Sequence, residues 1–317
     1  MLLLKSIHAR FLFILFVCSP IIEMQAFAQH FATIKKHQGI EISENGKKVL
    51  FYQQLPKSLD GKYARGGYVS PLYSLNQKVL TEDFPNDHPY HHGIFWAWHQ
   101  VILNNKSIAD GWTYENLYWK PIKLRTENKR KSITLHSEMI WQSVLENNKL
   151  TDIIKENTAI TVRASSEKYR VIDFDILLSA LVDSLQLGGS DDAKGYGGFC
   201  LRLKLPEDIA FFSGGSAIAP KETAVKAGPW MDFTGSFDGV SFPKNGIAVF
   251  CKGSAPEDSQ PWILRKEGSM QNIPFPGRTA VTLPRNGWRL QYRLVIHNGE
   301  MSNDDLRKLY QDYIHSN

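Results

Sequence analysis

The chain has 317 residues, 43% of them hydrophobic, with 37 Lys and Arg against 32 Asp and Glu for a net charge of +5. That hydrophobic content is ample for a packed core, and the mild charge is better explained as an ordinary solvated surface than as a binding footprint. No block of Lys and Arg and no basic helical stripe is present, which argues against nucleic acid as a partner.

The first residues, MLLLKSIHARFLFILFVCSPIIEMQAFAQH, place Lys5 and Arg10 ahead of an apolar run from Phe11 to Val17, then Ala26-Phe27-Ala28 with the small-x-small spacing a signal peptidase accepts. Residues 1–28 are expected to be a cleaved secretory signal, and the protein periplasmic or secreted. The run is shorter than the roughly 20 residues a membrane-spanning helix requires, and no later stretch approaches that length, so no membrane span is expected. Cys18 offers a lipoprotein alternative, discounted because Phe16-Val17 lacks the small residue preferred before a lipidated cysteine. Without residues 1–28 the net charge falls to +4, and Cys200 and Cys251 remain, either paired in an oxidising compartment or buried and free. Residues 29–317 are expected to form a single β-rich domain.

Along that domain most segments alternate with period 2, the pattern of strands with one dry and one wet face. GIEIS and KKVLFYQ flank Asn45-Gly46, a hairpin signal because a type I′ turn requires positive φ. SITLHSEMIWQS, NTAITVRAS and NGIAVFCKG predict further strands, with ENNK and PKNG as loops. YRVIDFDILLSAL separates Ile172, Phe174, Ile176 and Leu178 from Val171, Asp173, Asp175 and Leu177. FCLRLKL sets Phe199, Leu201, Leu203 and Leu205 against Cys200, Arg202 and Lys204, and WRLQYRLVIH sets Trp288, Leu290, Tyr292, Leu294 and Ile296 against Arg289, Gln291 and Arg293. One helix is predicted, at the C-terminus, where Ser302 and Asp305 make a capping-box-like start and Leu306, Leu309, Tyr310 and Tyr313 form an apolar stripe. Many strands, one helix and no composition break predict an all-β fold, a large antiparallel sandwich.

Chemistry concentrates in DHPYHHGIFWAWHQ, residues 87–100, which holds His88, His91, His92 and His99 beside Trp96 and Trp98. Histidine exchanges protons near neutrality and is the commonest metal ligand. The spacing is too irregular for two ligands per helical turn, and Pro89 favours a loop running into a strand. On that strand Ile94, Trp96 and Trp98 share one face, leaving Phe95, Ala97 and His99 on the other. Indoles beside histidine and carboxylate are a common way to hold a pyranose ring, and Glu82, Asp83 and Asp87 stand just upstream. Glu156 is the expected carboxylate partner of a histidine acid/base, with Glu138 as a rival. Loop histidines that merely hydrogen-bond to backbone, and strand tryptophans that merely fill a core, are the bland alternative. A Gly-x-Ser-x-Gly nucleophile elbow is absent, and the glycine-rich LGGSDDAKGYGGF has neither a Walker lysine nor a calcium-loop spacing.

SPLYSLNQKVLTEDFPNDHPYHHGIFWAW, residues 70–98, resembles the bacterial DUF6807 family, also labelled PmoA or "methane oxygenase PmoA", and YGGFCLRL, WMDFTG and YRLVIHNG match further family segments in order. The methane label does not fit, because membrane methane oxygenase is an integral membrane subunit. The resemblance implies instead a β-supersandwich similar to galactose mutarotase, a fold shared by several kinds of sugar enzyme. It also draws attention to Tyr196 and Arg202, which the matched segments cover. Two departures stand out: Tyr90 replaces the first histidine of the family's pair, and CKGSAPEDSQPW at 251–262 lacks an expected Asp-His-Pro-type segment.

The expected site therefore has His88, His91, His92, Glu156 and Arg202 in catalytic roles, and Asp87, Trp96, Trp98, His99 and Tyr196 binding a carbohydrate. Acid/base cleavage or isomerisation of a glycoside or oxidised sugar leads; a carbohydrate-binding protein without turnover is the runner-up. No cofactor is predicted, with a divalent metal on His88, His91 and His92 as the alternative.

Overall fold

The computed structural model describes residues 30–146, 148–252, 260–268 and 270–315. The expected signal at 1–28, with Cys18, lies outside the described residues, as does most of the divergent 251–262 segment. Two antiparallel sheets face each other. One has seven strands in the order Phe31–Lys36, Gly39–Glu44, Lys47–Gln53, Tyr68–Leu72, Ile94–Trp98, Gly197–Arg202 and Met270–Pro274. The other has nine, in the order Tyr118–Lys129, Ser132–Val144, Leu150–Arg163, Tyr169–Ala180, Trp288–His297, Asn245–Lys252, Trp230–Gly235, Ala210–Ser213 and Ser216–Ala217. With one helix among the described residues, Asn303–His315, the fold is all-β, as the alternation predicts. Among the described residues no helix is long and apolar enough to cross a membrane.

The period-2 pattern sets what each face does. Ile172, Phe174, Ile176 and Leu178 are all buried, while Asp173 and Asp175 on the opposite face meet Arg163, Arg293 and Arg289 from the two neighbouring strands. Inner faces of the two sheets interlock through aromatic pairs: Phe199 stacks on Tyr292 with ring centroids 4.2 Å apart, and Trp98 lies 6.0 Å from Trp141. The Asn45-Gly46 turn has φ of 50° and 75°, the positive pair the hairpin requires. Ser302 Oγ accepts the Asp305 N–H at 3.1 Å, and Leu306, Tyr310 and Tyr313 bury against Trp230, Phe250 and Val295 on the outer face of the nine-stranded sheet. Cys200 and Cys251 are both buried and free, which decides between the two states open to them.

Strand Ile94–Trp98 is buried on both faces. Ile94, Trp96 and Trp98 point into the sandwich, and Phe95 and Ala97 point outward into a second cluster with Tyr68, Cys200, Met270 and Trp112. Just before it the chain passes so close to Val69 that a Cβ on Gly93 would stand 2.2 Å from the Val69 carbonyl oxygen, so glycine is what lets the histidine loop enter the sheet here. The loop itself is drawn tight by His91 N–H to His88 O at 2.9 Å and Phe84 N–H to His91 O at 3.1 Å.

Candidate functional site

The outer cluster on the seven-stranded sheet gathers six of the expected residues: Asp87, His88, His91, His99, Tyr196 and Arg202. Arg202 organises it. It extends from the end of its strand, where backbone bonds from Arg202 N–H to Gly93 O at 2.7 Å and from Glu82 N–H to Arg202 O at 3.0 Å join three segments. Its Nε donates to Glu82 at 2.8 Å, its Nη2 to Asp87 at 2.7 Å, and its Nη1 to Gly268 O and to His91 Nδ1, the latter at 3.3 Å. A guanidinium only donates, so His91 Nδ1 must be the acceptor and the ring proton sits on Nε2. Burial pushes the His91 pKa down to about 2, with the Arg202 charge adding to it, so His91 is a neutral imidazole presenting an N–H.

His88 is arranged the opposite way. Its Nδ1 lies 2.9 Å from Asp87 Oδ2. Partial burial of Asp87 works upward, but the hydrogen bonds from His88 and Arg202 outweigh it and hold the carboxyl at about 2. Against an ionised acceptor the proton belongs on Nδ1, leaving the Nε2 lone pair free on a ring whose side chain is 42% exposed. The two imidazoles stack, centroids 4.8 Å apart and planes within 5°. A proton acceptor and a neutral N–H donor thus stand side by side. Tyr90, the departure from the family pattern, packs edge-on against both, 5.7 and 4.9 Å away.

The aromatic wall comes from Trp112, which the sequence did not single out. Its indole meets His91 edge-on at 5.9 Å, stacks on His99 at 5.1 Å and 16°, and touches Tyr196 at 5.5 Å. Asp110 fixes it: Oδ1 accepts the Trp112 and Thr113 backbone N–H groups at 2.7 and 3.0 Å, and Oδ2 takes His99 Nδ1 at 2.9 Å. The Asp-Gly-Trp turn at 110–112 was the available signal, since aspartate two residues before a tryptophan at a turn can cap the backbone and orient the ring.

Four expected residues are placed elsewhere. Trp96 and Trp98 are fully buried between the sheets, their N–H groups donating to Glu156 Oε2 at 2.9 Å and Phe275 O at 2.6 Å, and so cannot wall a ligand site on the outer face. Glu156 is buried with them, accepting also from Trp141 at 2.9 Å and Thr158 at 2.9 Å; burial raises its pKa against these donors and Arg65, and it does not reach the histidine loop. His92 is 0% exposed, held by Asp83 at 2.7 Å and enclosed by Tyr68, Phe84, Phe95 and Tyr114, with its Nε2 buried and without a partner. Burial lowers its pKa too, against the Asp83 hydrogen bond, so it is an enclosed, neutral imidazole. The metal set His88, His91 and His92 is therefore not brought together, and among the described residues no three His, Cys, Asp or Glu side chains are placed to hold an ion. Glu138, the rival, pairs with Lys155 at 3.0 Å on the nine-stranded sheet.

Residues 39–311 match the model of a family described as "Family of unknown function (DUF6807)". The chain belongs to the DUF6807 family. Comparison with curated proteins gives no match. The matched span includes Arg202, Trp112 and the whole histidine loop, so every residue of this DUF6807 site lies within the family region.

The neutral state of His91 has a measurable consequence. In the unfolded chain the imidazole takes a proton near its ordinary pKa of about 6.5, whereas the folded group stays neutral down to about 2. The unfolded state then holds the extra proton below pH 6.5, so stability falls with pH through this window, by up to about 1.4 kcal/mol per pH unit. His92 acts in the same direction. His297, whose pKa is raised by Asp232 against its burial, loses stability only as pH rises above its ordinary range and leaves this window flat. Urea denaturation at pH 7 and pH 5 should show the loss, and His91→Gln should flatten it; equal slopes for both proteins would contradict the protonation state assigned here.

Proposed function

We propose that this is an exported protein acting on carbohydrate, with proton transfer at His88 as its central chemistry, in cleavage or isomerisation of a glycoside or oxidised sugar. One observation carries the reading: the continuous chain Asp87–His88–His91–Arg202 beside the Trp112 and Tyr196 rings. Asp87 orients His88 and favours its Nε2 as the base, and the neutral His91 Nε2–H beside a buried guanidinium suits an oxygen on which negative charge develops. An indole flanked by a phenol offers the apolar plane on which the C–H face of a sugar ring packs.

Incubating purified protein with a panel of glycosides and oxidised sugars, with products followed by NMR, tests this; turnover that His88→Ala removes is the expected result. A parallel EDTA-treated sample should retain activity, and loss restored by a divalent ion would place a metal in the mechanism. Binding without turnover is the second reading, favoured by one fact: with Glu156 inside the sandwich, the two carboxylates nearest Arg202, those of Glu82 and Asp87, are both already engaged by it. Saturable sugar binding with no product across the panel would establish that reading instead.

A further inference from the structure

A different cavity opens on the other sheet. Along strand Trp230–Gly235, Trp230, Asp232 and Thr234 alternate and face the same side, away from Met231 and Phe233 in the core. The start of the C-terminal helix lies over them, with Met301 and Leu306 opposite, enclosing a cavity of about 290 Å³. Asp232 stands on its floor at 4% exposure.

That carboxylate is fixed in place by its hydrogen bonds. Asp232 Oδ1 takes His297 Nε2 at 3.0 Å and Oδ2 takes the Thr234 hydroxyl at 3.1 Å, while His297 Nδ1 meets Gly299 O at 2.6 Å. Both ring nitrogens face acceptors, so both carry protons and the ring is an imidazolium. It reaches Asp232 across the intervening strand because residue 246 is glycine: a Cβ there would stand 2.7 Å from His297 Nε2. Only two of the roughly four lone-pair positions of the carboxylate are used, leaving acceptor capacity toward the cavity.

The rest of the lining favours positive charge. Glu300 forms no ion pair among the described residues, and Lys244, the cation in the lining, is held by Asp208 at 3.3 Å. Asp304 and Asp305 occupy the first helical turn and offset the positive end of the helix dipole. Trp230 and Phe212 supply aromatic wall. An indole beside carboxylates is the arrangement that recognises ammonium groups, through the ring quadrupole and direct charge together. An anion would meet the carboxylates, and a neutral diol would forfeit the charge attraction.

We propose that this cavity binds a small organic cation, a primary or quaternary amine resting on the Trp230 indole with its charge toward Asp232 and Glu300. The site is independent of the histidine cluster, which lies on the other sheet. Titration calorimetry on the full chain with choline and ethanolamine, against their neutral counterparts 3,3-dimethylbutan-1-ol and ethylene glycol, tests it. At least one cation should bind saturably and about tenfold or more tighter than its neutral counterpart. Asp232→Asn should abolish binding, and Glu300→Gln, an exposed change that leaves the fold alone, should weaken it by about threefold. Equal binding of charged and neutral partners, no binding of either cation, or full affinity in Glu300→Gln would each overturn the proposal.

Discussion

Replacing Glu156 by alanine is expected to destabilise the protein by about 3–5 kcal/mol, the cost of leaving three buried donors without the acceptor group they share. The Trp96 and Trp141 N–H groups and the Thr158 hydroxyl would lose their shared acceptor in a place water does not reach. Arg65, 0% exposed and lying 4.6 Å from the Trp119 ring with its Nε and Nη1 unpartnered, would also lose the carboxylate that opposes its charge. Glu156→Gln keeps an acceptor oxygen and the shape, so it should cost clearly less. Urea denaturation of both variants measures this. A loss below about 1 kcal/mol in the alanine variant would mean the network is not the brace its geometry indicates. A glutamine variant that stays stable yet loses turnover would return Glu156 to a catalytic role.

The second large effect is expected at His88. His88→Ala should reduce turnover of a competent sugar by about 100- to 10,000-fold, the usual weight of a positioned general base. Asp87→Asn should act in the same direction by unfixing the ring tautomer, because an amide does not replace the ionised acceptor. The His88 side chain is 42% exposed, so its loss should change stability by about 0.5 kcal/mol or less. His91→Ala differs: its ring is 4% exposed and packed between His88, Tyr90 and Trp112, so activity and about 1–3 kcal/mol of stability should fall together. Steady-state kinetics with thermal melts separates the two; undiminished turnover in His88→Ala would remove the base from the proposed mechanism.

How far the sequence reached depended on whether a signal was local. Period-2 alternation in Tyr169–Ala180 and Trp288–His297 reports a sheet with one wet face, because charged side chains have to avoid the dry one, and both strands lie as read. Asn45-Gly46 and Ser302 with Asp305 were equally legible, since a turn or a cap is decided by the φ preferences and hydrogen-bonding reach of a few adjacent residues. The histidine loop was legible as a place where chemistry concentrates, and its resemblance to DUF6807 agrees with the family match over residues 39–311.

Only the tertiary structure decided which residues of that stretch reach the outer face of the sheet. Ile94–Trp98 is apolar on both faces, so alternation shows that Trp96 and Trp98 share a side but not that the side is the core; the second sheet, with Trp141 and Glu156, claims them. The same partition encloses His92 and exposes His88 four residues earlier, a difference made by Tyr68 and Tyr114 arriving from distant segments. Trp112 enters the site from a separate turn, and Arg202 gathers Glu82, Asp87 and His91 from the neighbouring strand, more than a hundred residues further along the chain. By itself the sequence determined the strands, their two-faced character, the C-terminal helix and the stretch where proton-transfer groups gather, because each is an interaction among neighbours along the chain. Folding decided which face is dry, which histidine is exposed beside Asp87, which is held by Arg202 and which is enclosed, and which aromatic packs beside them, because burial and partner identity depend on segments a hundred residues apart meeting in space.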